Sequence, residues 1–598
     1  QAADALRVFT TYGCAGAGVE TLAIERIRDE FYDGKFWDNN SRVGEYEMKQ
    51  YYMQQVETYF DDDGKNAGFK TVFDHFMVTG LEELMKNPAS DSSRAQFVGY
   101  AGDLVEYFNG MEGNLANMQK DVNQEIKLKV DEINSLASEI ATLNKQINTI
   151  ELSGPTANEL RDRRTLLVDQ LAQIVNVDVI ETPIIDANNP ERVTGANRYL
   201  IKIAGGQVLV DTNEFNSLEC VARESFEKVN QTDIDGLYEI YWDNGQKFGL
   251  YNSAMEGALK GLIQMRDGNN GENFKGVVES IGNVTDPDTG ISRDTVTISV
   301  SREYLYDINK CNLSDQGGVI NIGNKEFYYD SWEYSCAYTP GSDPVYTYTF
   351  TLADSTKNDA GLTPERVGRD AEINKPVDYQ GIPYYMNQMN EWVRTFSEKF
   401  NDILKSGYTA EGENGCILLT ADMSTSDEQF LFEDVDPQVY ERKFGDTAFT
   451  VTLNQAQDSY YRLTAKNFSV LKALENDPGL LATKENNSNG VEESGILNQL
   501  RNMIKDKTVM SFRGATAAEF LQCVLSDVAL NASSANTFKE CYNNISNAID
   551  TQRISISGVD EDEEAVNLVK YQNSYNLASK MIQTLTEIYD RLILQTGV

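Results

Sequence analysis

The sequence predicts an α+β chain: a long helical-bundle or coiled-coil rod made from both chain ends, with antiparallel β domains inserted between them and projecting outward. Three observations carry this expectation. Ile133, Leu136, Ile140, Leu143, Ile147 and Ile150 recur at steps of three and four, the period of a seam between long helices. Leu568, Tyr571, Tyr575, Ala578, Ile582, Leu585, Tyr589 and Leu592 repeat it near the C-terminus, with no proline or glycine until Gly597. Between the two ends the period becomes strict alternation, as in Val296, Ile298 and Val300 or in Tyr346, Tyr348, Phe350 and Leu352, with Thr and Ser between them. That is the pattern of half-buried antiparallel strands.

The chain opens with a β-type stretch, residues 6–24, punctuated by Gly13, Gly16 and Gly18. An amphipathic helix follows over residues 36–60, with Val43, Met48, Tyr52, Val56 and Tyr59 on one face, ended by Asp61, Asp62, Asp63 and Gly64. A second helix holds Phe69, Phe73, Phe76 and Leu84 and stops at Asn87 and Pro88. After Arg94 little breaks a helix until Gly154 and Pro155. Thr156 and Glu159 stand at capping-box spacing and open a helix through Leu160, Leu167, Leu171 and Ile174. Residues 1–176 are thus the N-terminal part of the rod. Strands begin near Val177, and residues 199–203 and 207–210 flank Gly205 and Gly206 as a two-residue hairpin. The first β domain is residues 177–275, with a β–turn–helix pattern at 257–271. A second strand-rich block, residues 276–379, reads as a separable insertion, because Gly, Asn and Pro cluster at both of its ends.

Helical period returns in residues 380–410 with Tyr385, Met389, Trp392, Phe396, Phe400 and Ile403, and a mixed connecting segment covers 411–489. The C-terminal part of the rod, 490–556, holds Leu521, Val524, Val528, Ala535, Phe538, Tyr542, Ile545, Ile549 and Ile556. Behind Gly558, Asp560 and Glu563 stand at capping-box spacing and start the last helix, within residues 557–598. Alone, that helix leaves its seam in water. The seam therefore calls for a partner helix, in the same chain or another.

Composition narrows the function. The formal charge is −41, from 52 basic and 93 acidic residues, which argues against nucleic acid or an anionic membrane as partner. No apolar run approaches the roughly 18 residues of a membrane span. Seven cysteines lack a CxxC pair, so neither a zinc site nor a disulfide framework is expected; Cys311 with Cys336 is one pair that an oxidising setting would close. His75 is the only histidine, and its FDHFM setting fits no nucleophile–base triad and no HExxH site. It reads as structural. Asp286, Asp288 and Gly290 resemble a piece of a calcium loop, but Pro287 and the missing later carboxylate leave a hairpin turn. The acidic run at 560–564 is stabilised by the helix dipole without a cation. No catalytic, cofactor or metal residues are expected, and the chain reads as a non-enzyme.

Ser555, Ile556, Ser557, Gly558, Val559, Asp562, Glu563 and Glu564, followed by Asn567, Leu568, Tyr571, Gln572, Tyr575 and Ala578, resemble the C-terminal signature of the bacterial flagellar hook-associated protein 1 family, the hook–filament junction proteins. Hook, rod and other junction proteins share a weaker form of it. Asn158, Leu160, Asp162, Arg164, Leu167 and Leu171 are similar to the NxLxDxRxxL segment typical of the family, and Tyr199, Ile201, Gly206, Leu209 and Val210 resemble the strand pair behind it. Asn87, Pro88 and Arg94, then Asp477, Pro478, Leu480 and Ala482, then Val524, Ser526, Asp527 and Val528 extend the likeness. It covers residues 1 to about 275 and about 381 to 598; the block 276–379 lies outside it, and in this family the outer domains vary.

The resemblance implies a secreted, extracellular structural subunit of the flagellum, working in flagellum assembly and motility. It implies the hook protein and the next hook-associated protein as partners, self-association in a helical ring and an export chaperone on the C-terminal helix. It implies no cofactor, no nucleic acid and no membrane. Family members carry a helix rich in Ala, Leu and Asn before the position of Gln1, the natural partner of the C-terminal seam. On that expectation the present chain is a fragment or processed form. The alternative from another class is an acidic secreted coiled-coil adhesin or binding module acting through residues 276–379.

Overall fold

A computed structural model describes the chain apart from residues 1–7, 11–12, 16–27, 61–67, 187–188, 286–289, 355–356, 359–361, 434–443, 508–513, 559–560 and 597–598. The acidic stop at 61–64, the loop at 286–289 and the cap at Asp560 lie outside the described residues. Of the opening β stretch, a short hairpin is described, β1 (Val8–Thr10) with β2 (Gly13–Ala15).

Helix α1 (Glu30–Phe60) begins earlier than its apolar pattern suggests and is buried on more than one side. Val43, Tyr52 and Val56 are buried as expected, together with Met53 and Phe60, whereas Tyr59 is exposed and Met48 half-buried. Its breadth comes from two crossings. A Cβ on Gly44 would meet the Gln173 carbonyl oxygen at 2.0 Å, and one on Gly261 would meet the Glu45 carbonyl oxygen at 2.5 Å. Only glycine lets the backbones approach so closely.

Next come α2 (Phe69–Asp74), one π turn (His75–Gly80) and α3 (Leu81–Lys86). The 61-residue α4 (Asp91–Glu151) follows, capped by the Ser90 side chain. Ile133, Leu136, Ile140, Leu143 and Ile147 are all buried, and Ile150 is exposed. In α5 (Asn158–Ile174) the expected Thr156 and Glu159 box does not form. The helix starts after Ala157 without a side-chain cap from that residue. Instead Glu151 Oε1 accepts the Ala157 N–H at 3.2 Å, and the same carboxylate binds Arg161 at 2.7 and 2.8 Å. A carboxylate from the preceding helix has taken over the cap's role.

Strands β3 (Val177–Asp186), β4 (Asn189–Ile203), β5 (Gln207–Asp211) and β6 (Glu214–Phe215) form one sheet in that order. Ile203 pairs with Gln207, so the β4–β5 turn has three residues rather than two. All three, Ala204, Gly205 and Gly206, have positive φ, which explains the glycines. A pair, β7 (Leu218–Ala222) and β8 (Tyr238–Trp242), and α6 (Ala258–Asp267) complete this region.

The inserted unit holds β9 (Phe274–Thr285), β10 (Ser292–Val300), a short α7 (Glu303–Tyr306), β11 (Gly318–Ile322), β12 (Lys325–Tyr338), β13 (Val345–Leu352) and β14 (Asp370–Ile373). Its antiparallel pairings run β9–β10–β13–β12–β11–β14 and back to β9. The sheet thus closes into a six-stranded barrel. The expected limits, 276–379, need correcting. The sheet starts at Phe274, and after α8 (Ile382–Lys405) and β15 (Leu419–Ala421) the chain returns to add β16 (Phe449–Asn454) beside β12. Val451, Leu453 and Tyr461 lie in the barrel's own core. A strand arriving from more than a hundred residues downstream leaves no local signal of its partner.

Then β17 (Phe468–Val470) pairs with β15, and α9 (Lys472–Asn476) and α10 (Gly495–Met503) lead to α11 (Ala517–Ser557) and α12 (Glu561–Thr596). Helices from the N-terminal and C-terminal parts of the chain meet in the main core. Trp392 of α8 stacks on Phe108 of α4 at 4.9 Å and on Phe396 at 4.5 Å, and its indole N–H donates to the Ala517 carbonyl at 3.0 Å. Helix α11 lies along α1, joining the C-terminal helices to the N-terminal ones.

Candidate functional site

Helix α12 forms because residues 561–596 contain neither glycine nor proline, and Glu561, Asp562, Glu563 and Glu564 crowd its first turn, where the helix dipole favours negative charge. The break before it is steric. Gly558 has extended backbone, φ −72° and ψ 147°, and a Cβ there would lie 2.4 Å from the Ile554 carbonyl oxygen. At 36 residues the helix is about 54 Å long.

No residue of 561–595 is buried, and only Asn567 and Ser579 are even half-covered. Every predicted seam residue is exposed: Leu568, Tyr571, Tyr575, Ala578, Ile582, Leu585, Tyr589 and Leu592, with Tyr575 at 75% and Ile582 at 64%. Met581 and Ile588 precede Ile582 and Tyr589 by one residue and widen the stripe, and Leu577 and Leu594 are exposed beside it. The seam pattern alone missed these four. A patch of this size is uncommon on a chain that works alone.

The root of this helix is firmly held. On α11, Tyr542 accepts the Asn39 side-chain N–H through its carbonyl at 2.9 Å, and Lys539 donates to Gln50 at 3.0 Å. The Tyr46 ring sits 5.0 Å from Phe538 and 5.5 Å from Tyr542. Five residues before the break, Arg553 donates to Asp33 at 2.9 Å and to Asp169 at 3.0 Å, with its guanidinium 4.2 Å over the Phe36 ring. Arg28 donates to Asp33 at 2.7 Å, and the Trp37 indole N–H to Asp169 at 2.6 Å. Burial outweighs these partners at Asp169 and holds its carboxyl above the usual range. Sequence reading missed this cluster, since its bonded partners lie up to 520 residues apart.

Chemistry is sparse elsewhere. His75 is exposed on the π turn, its ring 5.9 Å from Tyr100. Cys311 and Cys336, the pair singled out from sequence, are buried and not joined by a disulfide, and burial pushes the Cys311 thiol up to about 12. Among the described residues no group of three or more His, Cys, Asp or Glu is placed to hold a metal, and no helix is long and apolar enough to cross a membrane. A cleft of about 200 Å³ between the β7–β8 pair and the barrel is lined by Arg223, Glu239, Tyr241, Lys247, Glu326 and Tyr328. Arg223 is already spent on Glu239 at 3.0 Å and Asp267 at 3.2 Å.

Residues 53–284 match the family described as Flagellar hook-associated protein FlgK helical domain, and residues 550–595 match Flagellar basal body rod FlgEFG protein C-terminal. The chain is 21% identical over 588 residues to flagellar hook-associated protein 1 of Bacillus subtilis (strain 168), a match covering 98% of this chain and 88% of that relative. The protein of the same name from Salmonella typhimurium is 22% identical over 589 residues, covering 97% and 90%. A solved structure, the flagellar hook junction protein FlgK from Burkholderia pseudomallei, aligns with a TM-score of 0.46 and 14% identity over 88% of this chain and 100% of that one.

Proposed function

The chain belongs to the family of flagellar hook-associated protein 1, and from that membership we propose that it is a structural subunit of the bacterial flagellum, forming the junction between hook and filament. The observation that carries the reading into this structure is α12, a rooted helix whose whole apolar seam faces water. The seam supports a subunit contact. Its neighbours in this reading are the hook protein, the next hook-associated protein and further copies of the chain in a helical ring. Before assembly an export chaperone covers the same seam, and the working place is outside the cell. The role is architectural and needs no catalysis. The matched relatives span nearly the whole chain, insert included, so an adhesin acting through residues 276–379 finds no support.

Leu568, Ile582, Leu585 and Leu592 each contribute about 1.5 to 3 kcal/mol on full burial, up to roughly 6 to 12 kcal/mol together before ordering costs. None of this is realised in the single chain. Ile582→Asp should therefore leave the monomer's melting temperature almost unchanged while the protein is lost from isolated flagella of the source bacterium. A drop of many degrees in the monomer, with retention in flagella, would contradict the assignment.

A further inference from the structure

Two β surfaces face each other across the cleft between the β7–β8 pair and the barrel. In β8 the buried side chains are Ile240 and Trp242, so Glu239 and Tyr241 stand on the other face. In β11 they are Ile320 and Ile322, so Val319 and Asn321 stand outside the barrel, paired across the hairpin with Tyr328 and Glu326. These outward residues line the cleft together with Lys247. Its two sides are pinned to each other. Asn269 donates to the Lys375 carbonyl at 2.9 Å and accepts the Val377 N–H at 3.0 Å, the Gln231 N–H donates to Asn312 at 3.0 Å, and the Phe226 ring meets Tyr328 edge-on at 5.2 Å. A cleft held open in this way spares a ligand part of the ordering cost of binding.

The charges in the cleft cancel, with four cations and four carboxylates lining it. Its carboxylates are engaged: Glu239 with Arg223 at 3.0 Å, Glu326 with Lys375 at 3.8 Å, Glu372 with Lys275 at 3.7 Å and Glu227 with the Glu224 N–H at 3.2 Å. The groups left over are mostly neutral. Among the described residues the Tyr241 and Tyr328 hydroxyls, the Lys247 ammonium and the Asn321 side-chain carbonyl have no hydrogen-bond partner in the chain, and the Asn321 oxygen is buried. Leaving a buried oxygen without a donor is costly, and a ligand that brings one is favoured. Against desolvation, Glu326, Tyr241 and Glu239 hold the Lys247 ammonium above its ordinary value. An anion drawn to Lys247 would meet those carboxylates too.

We propose that this cleft binds one neutral sugar ring, free or at the end of a glycan. Its volume of about 200 Å³ lies below the roughly 300 to 1,000 Å³ of sites for drug-sized ligands, which suits a single ring. Sugar hydroxyls both donate and accept, so they serve the Asn321 carbonyl and the Lys247 ammonium alike, and the C–H faces of the ring pack on tyrosine. An ion would give up its water without finding a free countercharge that outweighs the like charges around it. Such binding neither needs the junction role nor interferes with it.

Saturation-transfer NMR on the full chain, with D-glucose, D-galactose, D-mannose and N-acetylglucosamine as free probes, should show transfer to at least one of them at about millimolar concentration. If only a presented ring binds, a glycan array should instead retain the chain through a neutral terminal sugar. Asn321→Ala removes an acceptor with no bond to lose in the chain, and Lys247→Met changes an exposed position; both should keep the melting temperature and weaken sugar binding about tenfold or more. The proposal is overturned if no sugar binds in either format, if glycine or inorganic phosphate binds in the cleft and the sugars do not, or if both variants bind sugar as tightly as the wild type.

Discussion

Arg553 holds the last turn of α11 to two other helices, and its removal should loosen the support on which α12 stands. In Arg553→Ala, Asp33 keeps Arg28 at 2.7 Å, but Asp169 keeps only the Trp37 indole at 2.6 Å. Stripping one partner from a fully buried ion pair costs about 3 to 5 kcal/mol. Here the side chains are 9%, 7% and 20% exposed and one carboxylate stays paired, so about 2 to 3 kcal/mol is the expected local cost, including the lost contact with the Phe36 ring. Hydrogen exchange reads the local opening directly. The slowest amides of residues 545–557 should exchange about 30- to 150-fold faster, since each 1.4 kcal/mol is a factor of ten, while those in the barrel strands should not change. Arg553→Lys should fall between, keeping the charge and losing the two-armed geometry. A change below about threefold in residues 545–557 would refute the idea that this cluster anchors the root.

Three further outcomes follow from the packing. Burial raises Glu391 and Glu398 on α8 to about 7 from an ordinary value near 4.5, against Lys310 and Lys399 respectively. The folded chain then holds more protons than the unfolded one between those values, so stability should fall as pH rises from about 4.5 to 7 and level off above, by up to roughly 3 kcal/mol for each group; pH-dependent urea unfolding of Glu391→Gln plus Glu398→Gln should lose that slope. Gly44→Ala should cost about 3 kcal/mol or more by forcing α1 away from α5, whereas Gly34→Ala on the same helix, with nothing within 4 Å of its added Cβ, should be neutral or gain up to about 1 kcal/mol; equal effects in urea melts would count against the crossing. Leu453→Ala should cost about 2 to 4 kcal/mol and speed exchange in the barrel strands while leaving α4 alone, and a matching change in α4 would show that β16 belongs to the helical core.

The parts legible from sequence were those whose partners did not need to be known. A 3-4 seam declares its own buried side, so Ile133 to Ile147 in α4 fell where expected, and so did the alternation of β10 and β13, whose outward Thr297 and Thr349 hydroxyls meet at 3.1 Å. Local side-chain chemistry was less secure. The Thr156 box lost to Glu151 because a carboxylate already fixed by Arg161 was at hand. Pairings between distant segments left no trace at all: barrel closure depends on β14 meeting both β11 and β9, and its extension on β16 meeting β12.

The same distinction bears on the candidate site. Eight residues of α12 could be named from period alone because a seam is a property of one helix, and the structure leaves each of them exposed. What period could not supply is the difference between a helix that is merely unpacked and one that is presented. That difference lies in its root. A frayed terminus needs no ion-paired arginine held between Asp33 and Asp169, no tyrosine sandwiched by Phe538 and Tyr542, and no glycine set where a side chain would strike the backbone. In the subunit contact proposed above, an α11 held by these contacts beneath an uncovered α12 would lower the ordering cost a partner must meet on binding.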